Sequence, residues 1–328
     1  MLRSACRESP PFTDVTKSFA KHPLAKTYGR LPAVSSSTLP IEYSSRKGGR
    51  KRGKTFTYEG LSKYAPARML SKADIGRLVD DYRHAAQNAM QAGFDGVEIH
   101  AAHGYLIDQF LSATTNSERN DEYGGSPENR TRLLCEVVRA VADVVGDGKV
   151  SVRISPTSPG TIEYHGNGQA TDGVYELAAE KLNAMRERMA YLLLTEPRWT
   201  GRADGDWETD EGFSLPTYNN RFRQLFHGCL IGGGGFTPSG AQKAVSGGIY
   251  DMIAFGRWFI SNPDLPDRLK RGLPLTPYDR STFYTYDEAG YTDYPRFDKV
   301  PEDKLENLVE HKDIGASLSQ KHNARSKL

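Results

Sequence analysis

Two histidines and a tyrosine fall within six residues in the stretch HAAHGYLIDQFL, directly after the apolar run GVEI. Histidine is an unusual residue at the end of a buried strand. Two imidazole N–H groups, from His100 and His103, aimed at one oxygen would stabilise negative charge developing there. Tyr105 is a phenol with an ordinary pKa of about 10, protonated at neutral pH and able to donate a proton. No third ligand stands at a recognisable metal-site spacing, so no metal is expected.

The other chemistry-bearing residues also follow short apolar runs. In VSVRIS, alternation sends Val152 and Ile154 to one face and Arg153 to the other. A buried guanidinium needs an acceptor. Either a cofactor ring that becomes anionic on reduction or an internal ion pair would serve. After AYLLLT come Glu196 and Arg198. The glycines of GGGG, Gly232 to Gly235, let backbone N–H groups approach a phosphate without side-chain interference. Arg257 after Gly256 adds a bidentate cation. The alternative is a pair of tight turns with Arg257 in a surface ion pair.

A repeated unit must position these residues. SKADIGRLVDDYRHAAQNAMQAG opens with a capping box, Ser71 with Asp74. Its apolar residues recur at helical spacing, and Gly93 suits the C-terminal cap. The strand GVEIH follows. SPENRTRLLCEVVRAVADVVG then reads as one helix with Ser126 as cap, Pro127 at its first position and Gly146 as its stop. The strand VSVRIS, a helix in GVYELAAEKLNAMRERM and the strand AYLLLTEP continue the series. A helix around YNNRFRQLF, the strand GCLIGGGG, a short helix in SGAQKAVSGG, the strand YDMIAFG and NPDLPDRLKRG complete it. Alternation of helix and strand predicts an α/β fold with a parallel sheet of about five strands. That fits a (β/α)8 barrel or a doubly wound sheet, and the lack of G-x-G-x-x-G after the first strand counts against the second. In a barrel, the strands' C-terminal ends carry the site, and those are the positions just described.

Composition narrows the function classes. The chain of 328 residues has a formal net charge of +2, so no global charge points to nucleic acid or a membrane surface. Cys6, Cys135 and Cys229 form no close pair, which suits a reducing compartment. The basic run RKGGRKRGK, without interleaved aromatics, reads as a solvated loop. No apolar run is long enough for a membrane span, and the start lacks a signal-peptide core. Ser326, Lys327 and Leu328 match the peroxisomal address, so a peroxisomal or glycosome-like location is expected, and a cytoplasmic one otherwise.

HAAHGYLIDQFLSATTNSERNDEYGGSPENR, VSVRISP, YLLLTEPR, GRWFISNPDLPDRLKRGLPL and YDRSTFYTYDEAGYTDYP together resemble the Old Yellow Enzyme family of flavin-dependent ene-reductases, in order, over roughly residues 30 to 295. That family includes 12-oxophytodienoate reductases and prostaglandin F2α synthases. The resemblance implies a TIM barrel carrying FMN, reduced by NADPH, that passes hydride from the flavin to the β-carbon of an α,β-unsaturated carbonyl. It implies that His100 and His103 bind the carbonyl oxygen, and the nicotinamide amide in the other half-reaction. Tyr105 would protonate the α-carbon, and Arg153 would lie against the flavin's N1 and C2 carbonyl. Gly234, Gly235, Gly256 and Arg257 would hold the FMN phosphate. Tyr284 and Phe283 would lie near the ring or substrate, and Arg198 would contact substrate. The implied partner is a small enone, with neither nucleic acid nor membrane, and a homo-oligomer is allowed.

The resemblance departs at the N-terminus. Family members begin with a Pro-Leu-Thr-like strand and two more, the third ending in Gln-x-Trp-His-x-Gly-Arg; none is intact here, and KTYGR at Lys26 to Arg30 resembles a remnant of the third. The expectation is therefore an incomplete barrel of about five of eight βα units over residues 66–295. An irregular segment (1–65) precedes it and a polar tail (296–328) follows. A second functional expectation comes with it: a truncated, impaired family member that binds FMN weakly or not at all.

Overall fold

The computed structural model describes residues 33–38, 42–44, 50–52, 54–57, 60–63, 67–156, 173–196, 219–283 and 288–311. The first strands are β1 (Ala33–Ser35), β2 (Glu42–Ser44), β3 (Arg50–Arg52), β4 (Lys54–Thr57), β5 (Gly60–Lys63) and β6 (Ala67–Met69). β1 pairs with β6 in parallel, while β2–β3 and β4–β5 are antiparallel ribbons. This corrects the expectation of an irregular segment and a basic loop, since Arg50 to Arg52 and Lys54 lie in strands. Thr55, Phe56 and Thr57 are β-formers, and the pairing of Thr57 with Gly60 leaves a two-residue connection.

The long helix α1 (Lys72–Gln91) starts as expected: Ser71 Oγ accepts from the Asp74 N–H at 3.2 Å, and Asp74 Oδ2 accepts from the Ser71 N–H at 2.9 Å. Gly93, one residue past the C-cap, has φ +87°. Asp74 also accepts from Arg68 at 2.6 Å and from Arg77 at 2.5 Å. The Arg68 bond above all, helped by Ser71 and Arg77 against the cost of burial, holds its carboxyl well below the usual carboxylate range. A depressed folded-state value stabilises the fold above the unfolded pKa of about 3.9, and that contribution is lost as pH falls further. Asp74→Asn is expected to cost about 2 kcal/mol at pH 7. Urea unfolding at pH 7 and pH 3 checks this; a parent–variant gap that does not shrink at pH 3 contradicts it.

The repeating units follow: β7 (Val97–Ala101), α2 (Leu106–Leu111), α3 (Pro127–Arg130), α4 (Arg132–Val145), β8 (Val150–Ile154), α5 (Val174–Asn183), β9 (Met189–Thr195), α6 (Phe222–Leu225), β10 (Leu230–Gly233), α7 (Pro238–Ser246), β11 (Met252–Ala254), α8 (Arg257–Ser261) and α9 (Leu265–Arg271). The five strands form one parallel sheet in the order β11-β10-β9-β8-β7. Each strand is laid beside its predecessor, with no reversal of direction across the sheet. A doubly wound sheet would reverse at a switch point, so the topology is that of consecutive barrel units. Val97, Ile99, Val150, Val152, Ile154, Leu192 and Leu194 are buried, in one core cluster with α1, α4 and α5.

Two helix expectations are revised. The helix from Ser126 to Gly146 is broken at Thr131, whose hydroxyl bonds back to the carbonyls of Pro127 (3.0 Å) and Glu128 (2.9 Å). The short helices α2 and α8 have no amphipathic signature; all six residues of α2 are buried.

A second cluster joins Trp258, Leu265, Leu275, Tyr278 and Val309. Leu275 and Val309 exchange two backbone hydrogen bonds of 2.9 Å each. The stretch to His311, expected as the start of a polar tail, therefore packs against the chain. The Ser326–Lys327–Leu328 ending, Arg198 and Tyr284 lie outside the described residues. Among the described residues no helix is long and apolar enough to cross a membrane.

Candidate active site

The strand register sorts the side chains of the sheet's inner face into layers. Glu98, Ser151 and Tyr191 are aligned across β7, β8 and β9. One step toward the C-terminal ends, His100, Arg153, Leu193 and Ile231 are aligned across β7 to β10. Thr195 and Gly233 follow at the rim. The polar groups of the lower layers and of the rim thus point away from the helix-facing core.

The three residues that open the sequence reading come together. The ring centroids of His100 and His103 lie 5.2 Å apart at 72°, and those of His100 and Tyr105 lie 5.0 Å apart. His103 has φ +59°, a left-handed conformation unusual for a non-glycine residue. Three side chains, those of Ser155, Asp108 and Gln109, hold that turn. The His103 N–H donates to Ser155 Oγ at 2.8 Å, and the Gly104 N–H donates to Asp108 Oδ2 at 2.8 Å. Asp108 is fully buried and also accepts from the Tyr175 hydroxyl at 2.5 Å. Gln109 Nε2 donates to the Gly104 carbonyl at 2.8 Å, and its Oε1 accepts from Ser35 Oγ of β1 at 2.7 Å. His103 Nε2 itself lies 2.9 Å from Thr195 Oγ1.

Arg153 sits beside His100 in the register. Its Nε is 2.9 Å from Glu98 Oε1, yet this buried N–H has no aligned hydrogen-bond acceptor. The Arg153 side chain as a whole is 28% exposed, although its Nε is buried. Of the two sequence alternatives for Arg153, the internal ion pair is present, with Glu98 as its partner.

The β9 and β10 ends meet closely. Gly234 has φ +103°, and a Cβ there would stand 2.8 Å from the Glu196 carbonyl oxygen. Glu196 is fully buried and accepts from the Tyr250 hydroxyl at 2.5 Å. Gly232 is required for a different reason, since a Cβ there would stand 2.7 Å from the Tyr250 ring. Gly235 also has positive φ (+80°). β10 and β11 are adjacent and parallel, so the turns carrying Gly234 and Gly256 leave the same end of the sheet. Arg257, the first residue of α8, donates to the Tyr278 hydroxyl at 3.1 Å, with its guanidinium 5.4 Å from that ring's centroid. The Phe283 ring centroid lies 5.6 Å from that of Tyr278, with the rings tilted by 31°. Burial pushes the Tyr278 hydroxyl up from its ordinary value, with Arg257 and Arg280 opposing.

A family model described as NADH:flavin oxidoreductase / NADH oxidase matches residues 36–276, spanning the sheet and the site. The chain belongs to this family, the Old Yellow Enzymes. It is 44% identical over 240 residues to 12-oxophytodienoate reductase 2 of Arabidopsis thaliana, covering 73% of this chain and 61% of that protein. Among solved structures it is similar to the old yellow enzyme homologue from Zymomonas mobilis, with a TM-score of 0.68, 37% identity, and coverage of 81% and 68% of the two chains. It is likewise similar to morphinone reductase in complex with tetrahydroNAD, with a TM-score of 0.64, 37% identity and coverage of 82% and 68%. The five-stranded sheet is accordingly part of an Old Yellow Enzyme α/β barrel.

Within this family member, several site residues escape the sequence reading. Thr195 lies two positions beyond Leu193 on the same face of β9, and Ser155 two beyond Arg153, just past the end of β8, so alternation carried one step further would have found both. Glu98 precedes His100 by two and carries the same signal, a charge inside an apolar run. Asp108, Tyr175 and Tyr250 act through tertiary contacts 67 and 54 residues apart in the chain, for which no local pattern exists.

Proposed function

We propose that this chain is an FMN-dependent oxidoreductase that uses NADPH to reduce the C=C bond of α,β-unsaturated carbonyl compounds. The observation that carries the proposal is the His100–His103–Tyr105 ring cluster at the strand ends, with Arg153 beside His100. The residues present fit FMN on two counts. The Gly234 turn excludes a Cβ and leaves its backbone bare, as a phosphate cradle requires. Arg153 has a buried N–H without an aligned acceptor, on a side chain that is only partly buried. When bound, FMN supplies the two-electron redox chemistry.

The chain's own residues do the rest. Gly234, Gly235, Gly256 and Arg257 would hold the phosphate, with Arg257 giving up its Tyr278 contact to do so. Arg153 would stabilise the ring's reduced, anionic form. His100 and His103 donate to the substrate's carbonyl oxygen, which takes the place of Thr195 at His103 Nε2. Polarising that carbonyl makes the β-carbon electron-poor and places negative charge on the oxygen, where two donors stabilise it. Tyr105 delivers the proton to the α-carbon. From the family resemblance, Arg198 would contact substrate, and Phe283 and Tyr284 would lie near the ring or the substrate.

The test is direct. The purified chain is incubated with FMN, desalted and scanned for a flavin band. Retained, perturbed flavin absorbance supports the proposal; a colourless protein after desalting favours an impaired family member that does not hold the cofactor. Rates of bleaching by NADPH and NADH then assign the donor, with faster bleaching by NADPH expected.

A further inference from the structure

Glu98 is a carboxylate on the inner face of the sheet, one layer below His100 and Arg153. Both of its oxygens are engaged. Oε1 lies 2.9 Å from Arg153 Nε, and Oε2 accepts from the Tyr191 hydroxyl at 2.9 Å. Burial, and then the charge of Glu98, push the Tyr191 hydroxyl up to about 12, so it stays a donor across the working pH range. The Glu98 carboxylate is thus held between the Arg153 guanidinium and the Tyr191 hydroxyl, one layer below the face assigned to the flavin ring. A charge pair shielded from water interacts more strongly than the same pair at the surface.

We infer that Glu98 is a positioning residue that acts through Arg153 to hold down the reduction potential of a flavin bound in this site. Reduction places negative charge on the ring, and Arg153 favours that state. Glu98 cancels part of the cation's field and so makes the reduced cofactor a stronger donor to the enone. Tyr191 moderates the effect by sharing the carboxylate's charge. The inference rests on the FMN proposal above.

The experiment measures the midpoint potential of the FMN-loaded full chain by anaerobic spectroelectrochemistry. Glu98→Gln is expected to raise the ratio of reduced-FMN to oxidised-FMN affinity about tenfold, an upward shift of about 30 mV for a two-electron couple. Glu98→Asp keeps the charge and should stay closer to the parent. An unchanged or lower potential in a Glu98→Gln variant that loads FMN like the parent overturns the inference. If Glu98→Gln loads no FMN, Tyr191→Phe decides: it leaves the carboxylate's charge unshared, so its potential should fall, and a value at or above the parent's overturns the inference. A parent chain that takes up no FMN refutes the flavin proposal itself, and this inference with it. That outcome is read in the parent before any variant is compared.

Discussion

Tyr105→Phe is expected to slow reoxidation of the reduced protein by an enone by about a hundredfold to ten-thousandfold, the range of a lost general acid. Reduction by the nicotinamide should be unchanged. The asymmetry follows from the assigned role, since only enone reduction consumes a proton at carbon. The substitution removes one oxygen and keeps the ring that packs 5.0 Å from His100. Tyr105 also caps α2 through its backbone and makes no side-chain cap bond. The fold and FMN affinity should therefore survive, and the two half-reactions can be compared in one preparation by stopped-flow absorbance. Equal losses in both halves would show that Tyr105 shapes the site and does not donate the proton.

Gly234→Ala has the second large effect. At φ +103° an alanine is strained, and its Cβ would stand 2.8 Å from the Glu196 carbonyl and 3.3 Å from Thr195 Cγ2. The clash is with backbone, which cannot swing aside as a flexible side chain would. Glu196 is itself fixed by the buried Tyr250 hydroxyl, and its N–H donates to the Gly233 carbonyl at 2.8 Å. The expected cost is about 3 kcal/mol of stability, from strain plus overpacking. FMN retention should be lost at temperatures where the variant is still folded, because the displaced turn is the proposed phosphate cradle. Thermal unfolding with and without FMN checks both parts. A variant that keeps parental melting and still gains stability from FMN removes Gly234 from the site. Gly248→Ala is a suitable comparison: it also has positive φ (+70°), but a Cβ there meets nothing within 4 Å.

Much of the fold is legible because its signals are local. The Ser71–Asp74 capping box, the Gly93 and Gly146 stops and the apolar strand runs all lie where the residues predict them. The choice between a barrel and a doubly wound sheet is not local, and the strand order makes it. His100, His103 and Tyr105 stand out in the sequence because polar residues at a strand end are unusual, and the structure gathers them. Their supports are less visible. Asp108 reads as one more residue in LIDQFL, yet it anchors the Gly104 amide and the Tyr175 hydroxyl. The run GGGG looks uniform, but Gly232 makes room for the Tyr250 ring while Gly234 makes a left-handed turn. The ribbons between β1 and β6 escape notice because glycine and charge mask four short strands.

The central claim is that these residues form a working flavin site for enone reduction. The FMN-loaded chain is made anaerobic, titrated with NADPH and then mixed with an α,β-unsaturated ketone while the flavin band is followed. The band should bleach with NADPH and return in step with loss of the ketone's C=C absorbance. A flavin that bleaches but stays bleached in the presence of the ketone, and returns only when oxygen is admitted, would contradict the claim.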